Sequence, residues 1–262
     1  MSWPVFRQAL KENRRSLFWW TVGTAGFIVF AMAFYPSIKD QPALNQLYAS
    51  EALQAFVGTG DITSPVGYMT REVFSLSGPL VLMIYGIITG TALLAGEEGR
   101  KTLPLLLANP VSRTGVLLGK FATLKALLLT VSLGMLAVIC LFGPLFELSF
   151  PFGHLISAFA MMFLLGLGFG SIGFLIGTAT GKRGLAGGIT GAVGFAMYLL
   201  NTLQTFIEPL QPYRFASLFY YYDPENAVID YPKLLDVAVL VGVSVVCLGA
   251  AIMIFRHRDL NT

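Results

Sequence analysis

The sequence predicts an all-α integral membrane protein with six transmembrane helices and with both termini in the cytoplasm. Hydrophobic residues make up 55% of the 262-residue chain, and charged residues make up only 12%. Ordinary soluble domains contain about 25% charged residues, and a soluble fold of this length needs more polar surface to cover its core. Six long apolar stretches and an uneven distribution of Lys and Arg complete the prediction.

The six stretches are each long enough to cross the hydrocarbon core, which takes about 20 apolar residues in a helix. They lie at 17–35, 76–95, 126–142, 155–180, 185–201 and 234–255. We expect them to form a single transmembrane domain over residues 1–262. The first outer connection is long and covers residues 36–75.

Lys and Arg fall mainly in one of the two sets of connections, which sets the orientation through the positive-inside rule. The richer set, assigned to the cytoplasm, holds Arg7, Lys11, Arg14, Arg15, Arg100, Lys101, Arg113, Lys120, Lys125, Lys182, Arg183, Arg256 and Arg258. The outer set holds Lys39, Arg71, Arg214 and Lys233.

The middles of the predicted spans contain no Asp, Glu, Lys, Arg or His. Ion-coupled transporters usually carry such groups near the midplane, and no catalytic or metal-binding constellation is visible. The segment GTATGKR at 177–183 resembles a phosphate-binding loop, but its glycine spacing is one residue short and Arg183 follows the lysine. We therefore expect no ATP site, no metal site and no enzyme activity in this chain.

Glycine is concentrated in the fourth and fifth spans, at 166, 168, 170, 173, 177, 181, 184, 187, 188, 191 and 194. Small residues let membrane helices approach closely, because lipid supplies no hydrophobic drive for helix association. Tight packing within the chain and a dimer or moving interface are both compatible with this pattern.

The first cytoplasmic connection, 96–120, carries an unusual pattern. Its segment 97–120 reads EEGRKTLPLLLANPVSRTGVLLGK, with an acidic pair at the membrane boundary and then an apolar run too short to span. Thr102 and Pro104 suit the start of a short helix. Such a helix could dock in a groove of a cytoplasmic partner, or it could rest on lipid headgroups.

This segment resembles the first cytoplasmic loop of the ABC-2 type export permeases. That loop has an acidic pair, Gly-Thr-Leu, a Leu-rich turn, Pro-(Val/Leu)-Ser-Arg and a lysine that opens the next helix. The matching residues are Glu97, Glu98, Thr102, Leu103, Pro110, Ser112, Arg113 and Lys120. Lys101 stands where the family usually has glycine.

The resemblance implies a membrane-spanning permease subunit of an ATP-driven ABC exporter in a prokaryotic cell (inner) membrane. ATP and Mg would bind a separate cytoplasmic ATP-binding subunit, and the permease would pair with a second copy or a paralogue, with no nucleic-acid partner. Residues 1–15 would form an interfacial elbow helix. The coupling residues implied by the resemblance are Glu97, Glu98, Arg100, Lys101, Thr102, Leu103, Pro110 and Arg113.

In this family the second and fifth spans face the dimer centre, which makes their polar residues candidates for a translocation path. These are Tyr85, Thr89, Thr91, Tyr198, Asn201 and Gln204, and ordinary helix–helix hydrogen bonding is the alternative role for them. A passive channel or scaffold subunit and a membrane enzyme are the competing functions. The sequence does not identify the substrate.

Overall fold

Six long helices confirm the predicted all-α architecture. The computed structural model describes residues 2–41, 43, 50, 54, 61–103, 106, 111–224, 228 and 231–258, and no strand occurs among them. The long helices, labelled α1 to α6 in chain order, are Trp3–Ile38, Pro65–Leu93, Arg113–Phe142, Phe152–Thr180, Arg183–Leu203 and Leu234–His257. Shorter elements are the helices Ala95–Gly99 and Leu218–Tyr221 and the 3-10 turns Gly143–Phe146 and Glu208–Ala216.

The two ends of the described chain lie at the same end of the helix bundle. The Ser2 amide donates to the Gly115 carbonyl at 3.1 Å, and the Arg113 guanidinium donates to the Arg258 carbonyl at 2.9 Å. We call this the basic end and define it by residues 2–15, 95–103, 111–120, 181–183 and 256–258.

Helix α1 is continuous from Trp3 to Ile38, so the predicted elbow segment 1–15 does not form a helix of its own. At 1.5 Å per residue its 36 residues extend about 54 Å, well beyond a hydrocarbon core of about 30 Å. Residues 5–22 contain no Gly or Pro, so nothing in the sequence breaks the helix where it leaves the apolar region.

Helix α2 begins at Pro65 rather than at residue 76, which shortens the predicted outer connection 36–75. The Ser64 hydroxyl caps it by accepting a hydrogen bond from the Gly67 amide at 3.1 Å. Residues 70–77 form a π-helical stretch within it. The helix thus begins before the apolar stretch and includes Arg71, whose side chain is buried in the protein.

Helix α3 begins at Arg113, so the predicted coupling connection 96–120 ends at Ser112. The Ser112 hydroxyl accepts a hydrogen bond from the Gly115 amide at 3.0 Å and caps the helix. Lys120 therefore lies within the helix. Hydropathy alone places the helix start too late, because the first turns of α3 extend past the apolar region.

Helix α4 is the centre of the bundle and packs against α2, α3, α5 and α6. Two-thirds (67%) of its most apolar segment is buried, against 17% for α5. A Cβ added at Gly86 would lie 2.4 Å from the Gly166 carbonyl oxygen, and one at Gly90 would lie 2.1 Å from the Gly170 carbonyl oxygen. Glycine thus lets the α2 and α4 backbones touch, which confirms the packing role for part of the predicted glycine pattern.

We expect Gly90→Ala to lower stability and Gly249→Ala to leave it unchanged or slightly raised. The first substitution forces α2 and α4 apart, and overpacking of this kind costs about 1–3 kcal/mol. A Cβ at Gly249 meets nothing within 4 Å, and removing a helical glycine gains roughly 0.5–1 kcal/mol. Thermal unfolding of the two variants in detergent checks this, and equal midpoints would contradict it.

Candidate functional site

The segment between α2 and α3 begins with the short helix Ala95–Gly99 and then reverses direction. The Lys101 amide donates to the Glu98 carbonyl at 3.0 Å, and the Thr102 amide donates to the Glu97 carbonyl at 2.9 Å. Lys101 has φ of 57°, a left-handed conformation that costs a residue with a side chain about 1–2 kcal/mol. The glycine usual at this place in the resembling family fits the same turn without that cost.

Glu97 is buried at the basic end and is held by three groups. Its carboxylate lies 2.5 Å from the Lys120 ammonium and 3.7 Å from the Arg100 guanidinium, and it accepts a hydrogen bond from the Thr102 hydroxyl. The Lys120 side chain is only 4% exposed and that of Glu97 only 10%. This pair ties the end of α2 to the second turn of α3.

Burial disfavours the ionised form of Glu97, but the hydrogen bonds from Lys120 and Thr102 outweigh this effect. The pKa of the Glu97 carboxyl is therefore below its ordinary value. Glu97 is ionised at neutral pH and forms a charged pair with Lys120, and the geometry leaves this carboxylate little surface for an outside partner.

Glu98 forms a second ion pair, with Arg258 beyond the end of α6. The two carboxylate oxygens accept from the guanidinium at 2.6 and 3.0 Å, a bidentate geometry that is among the stronger ion-pair arrangements. The same guanidinium donates to the Thr178 carbonyl in α4 at 2.7 Å. Arg113 adds a bond to the Arg258 carbonyl, so α2, α3, α4 and α6 meet at Arg258.

Gly181 brings the connection between α4 and α5 into the same cluster. Its φ is +66°, and a Cβ there would lie 2.5 Å from both Glu98 carboxylate oxygens and 2.4 Å from Arg258. We call Glu97, Glu98, Lys120, Gly181 and Arg258 the junction. Gly181 is needed both for its left-handed conformation and for the close approach of the Glu98–Arg258 ion pair. These two requirements explain the glycine in the 177–183 sequence without a phosphate-binding loop.

The predicted coupling residues occupy different environments. Arg100 and Lys101 are exposed, whereas Leu103 is buried at 1% exposure and belongs to the core. The amide of Leu106 donates to the Thr102 carbonyl at 3.0 Å. Pro110 lies outside the described residues.

Sequence reasoning did not assign a role to Lys120 or Arg258. For Lys120 a signal existed, because the helical pattern Val116, Leu117, Lys120 and Leu124 places a lysine on an apolar face. Such a charge needs a partner. For Arg258 no signal existed, since its partner Glu98 is 160 residues distant in the chain.

The candidate path residues do not form one cluster. Thr89 and Thr91 donate hydrogen bonds to carbonyls of their own helix, and Tyr85 is fully buried with its ring 5.1 Å from that of Trp20. All three lie in the half of α2 nearer the basic end. The other three, Tyr198, Asn201 and Gln204, lie at the far end of α5, where Tyr198 packs against Phe219.

We expect Glu97→Gln to destabilise the protein at pH 7 by about 3 kcal/mol, because Lys120 keeps a buried charge without a counter-ion. Because the folded-state pKa of Glu97 is lowered, the ion pair stabilises the protein fully at pH values above the unfolded-state pKa of about 4.3. This stabilisation is lost as the pH falls through the folded-state value. The difference in melting temperature between Glu97→Gln and the wild type should therefore become smaller below about pH 4.3. The exposed Glu208→Gln is the control, and a pH-independent difference would contradict the assignment.

We expect Glu98→Gln and Arg258→Gln to be strongly non-additive. Each single change removes the bidentate pair, so the double variant should lose little more stability than either single variant. The coupling energy of a partly buried contact of this kind is roughly 2 kcal/mol. Denaturation of the four proteins measures it, and additivity within about 0.5 kcal/mol would show that the pair contributes nothing.

Comparison with protein families assigns this chain to a family. A family model described as ABC-2 family transporter protein matches residues 3–260, which is nearly the whole chain and includes all six helices. A comparison with curated proteins gave no match. Six membrane-crossing helices, the loop motif and the family match agree, and the chain belongs to the ABC-2 family of transporter proteins.

Proposed function

We propose that the chain is the membrane-spanning permease subunit of an ATP-driven exporter in a prokaryotic cell membrane. ATP and Mg bind a separate cytoplasmic ATP-binding subunit, and hydrolysis there drives substrate across the membrane. Family membership supports the permease role. The absence of ionisable residues from the middles of the predicted spans supports an external energy source.

The observation that carries this proposal is the junction. It connects the segment after α2 to α3 through Lys120, to α6 through Arg258 and to the α4–α5 connection through Gly181. A displacement of the 97–113 segment therefore acts on five helices through short ionic and backbone contacts. A coupling element needs this property, because packed helices move as rigid units rather than deforming.

The side chains available to the ATP-binding subunit are the bases and not the acids. Glu97 and Glu98 are engaged inside the chain, whereas 65% of the Arg100 side chain is exposed and Lys101 is also exposed. We assign the acids to positioning the loop and these two bases to contact with the partner. The greater number of Lys and Arg at this end supports a cytoplasmic location for it under the positive-inside rule.

Pairing with a second permease is supported by α5. Cβ atoms added at Gly184, Gly187, Gly188 and Gly191 would meet nothing within 4 Å, and these glycines repeat at helical spacing. A glycine-lined helix face of this kind permits close helix association in lipid. The second subunit is either another copy of this chain or a paralogue.

A passive channel or scaffold is the alternative function. ATPase activity of the purified complex distinguishes the two functions. Co-purification of the chain with an ABC ATP-binding subunit, with ATP hydrolysis stimulated by this chain, supports the exporter. An assembled complex that does not hydrolyse ATP contradicts it.

We expect Arg100→Glu with Lys101→Glu to weaken assembly with the ATP-binding subunit at least tenfold, about 1.4 kcal/mol. The melting temperature of the isolated permease should fall only slightly, because both side chains are exposed and Arg100 makes only a distant, exposed ion pair with Glu97. Lys233→Glu at the opposite end is the control and should assemble normally. Unchanged affinity of the double variant, measured by titration in detergent, would remove these bases from the interface.

A further inference from the structure

Two cavities lie one after the other between α1 and α2. The first, of about 570 Å³, opens at the basic end and receives Glu12, Asn13 and Ser16 from α1 and Ile88, Thr89 and Ala92 from α2. The second, of about 430 Å³, is lined farther along by Trp19, Trp20, Gly23, Phe27 and Val81, with Met135 of α3. Volumes of this size are typical of ligand sites.

Both cavities use the same face of each helix. On α1, Glu12, Ser16, Gly23 and Phe27 are separated by four, seven and four residues, which is the spacing of one helical face. On α2, Val81, Ile88 and Ala92 have the same spacing. The two cavities therefore open on the same faces of α1 and α2, and we call them together the α1–α2 cleft.

The mouth of the cleft carries an excess of positive charge. Four cations line it (Arg100, Lys120, Lys182 and Arg183), against the carboxylates of Glu12 and Glu97. Lys120 and Glu97 neutralise each other. Lys182 and Arg183 form no ion pair within the described part of the chain. Two cations therefore face the mouth without an ionic partner in this region.

The start of α5 adds to this positive character. Lys182 is the N-cap of the helix and has no side-chain hydrogen bond to its first turn. The free amides and the dipole of a 21-residue helix favour an anion at this position. The basic side chains and the helix start both point to a negatively charged group at the mouth.

The inner part of the cleft is apolar and open to the side. Trp19 and Phe27 are 69% and 43% exposed. The Thr24 hydroxyl donates a hydrogen bond to the Trp20 carbonyl at 2.8 Å. Nothing lies within 4 Å of a Cβ added at Gly23. The Ser77 hydroxyl in this lining donates to the Glu72 carbonyl. The surface is therefore mainly apolar and offers contact to a hydrocarbon chain.

We infer that the α1–α2 cleft binds one anionic phospholipid from the leaflet at the basic end. The phosphate lies at Lys182 and Arg183, and one acyl chain runs along α1 past Trp19 to Phe27. A zwitterionic headgroup brings its own cation close to the unpaired bases, and an apolar helix would leave their charges without counter-ions. This inference concerns binding alone and does not depend on the exporter function.

Lipid retention by the full-length chain in detergent tests the inference. Native mass spectrometry compares added phosphatidylglycerol with phosphatidylcholine of the same acyl chains. We expect the wild type to retain one phosphatidylglycerol with roughly tenfold preference, since each base near a lipid headgroup contributes about 1 kcal/mol. Lys182→Gln with Arg183→Gln should abolish the preference. Equal retention of both lipids, or retention of neither, overturns the inference.

A steric variant tests the inner part of the cleft independently of charge. Gly23→Leu fills the cleft beside Trp19 and should reduce retention at least tenfold. Gly26→Leu is the matched control, because its Cβ also meets nothing within 4 Å but the residue does not line the cleft. Equal retention by the two variants overturns the inference. So does a change of oligomeric state in Gly23→Leu with lipid retention intact, which would assign this face to a second copy.

Fluorescence places the acyl chain. With Trp3→Phe, the remaining tryptophans are Trp19 and Trp20, both in the cleft. Phosphatidylglycerol brominated on the acyl chain should quench them more than brominated phosphatidylcholine at equal concentration, and Gly23→Leu should remove the difference. Quenching that does not depend on the headgroup would place the lipid outside the cleft.

Discussion

The charge of Glu97 is the constraint on which the basic end depends. A buried carboxylate is stable only with a counter-charge and hydrogen bonds, and Lys120 and Thr102 supply them. Because Lys120 belongs to α3, satisfying this charge fixes α3 against the end of α2. Glu98, the residue next to Glu97, pairs with Arg258 beside the reversal at Lys101. Because Arg258 follows α6 and also binds the Thr178 carbonyl of α4, this pair joins α4 and α6 to the end of the segment. Removing the Glu97–Lys120 pair would therefore also weaken the Glu98–Arg258 pair and its contacts with α4 and α6.

The bundle depends on a second constraint, the absence of side chains where α2 and α4 cross. Gly86, Gly90, Gly166 and Gly170 allow backbone contact that even alanine would prevent. In lipid such close packing replaces the hydrophobic drive of a soluble core. The result is a firm central pair, with α5 at the edge and largely uncovered. A rigid α2–α4 pair beside the largely exposed α5 is suited to a protein in which a local displacement is transmitted to the contact between subunits.

The junction and the α1–α2 cleft meet at Glu97, Lys120 and Gly181, which belong to the junction and also line the mouth of the cleft. Movement of the segment after α2 would therefore change the mouth of the cleft directly. This proximity gives a physical route by which a bound lipid and an ATP-binding subunit could influence each other, since a ligand that favours one arrangement shifts the equilibrium of both sites.

The sequence by itself determined the fold class, the number of spans and the location of the loop motif. Apolar runs must cover a membrane-crossing length, and glycine spacing is visible without coordinates. It placed the starts of α2 and α3 too late, because hydropathy excludes charged residues such as Arg71 and Lys120 that the protein buries. Only the tertiary structure decided that Glu97 and Glu98 pair within the chain, that Arg258 takes part and that the candidate path residues lie apart. Those facts depend on contacts between residues as far apart as 98 and 258, and no local pattern encodes which distant charge neutralises a buried one.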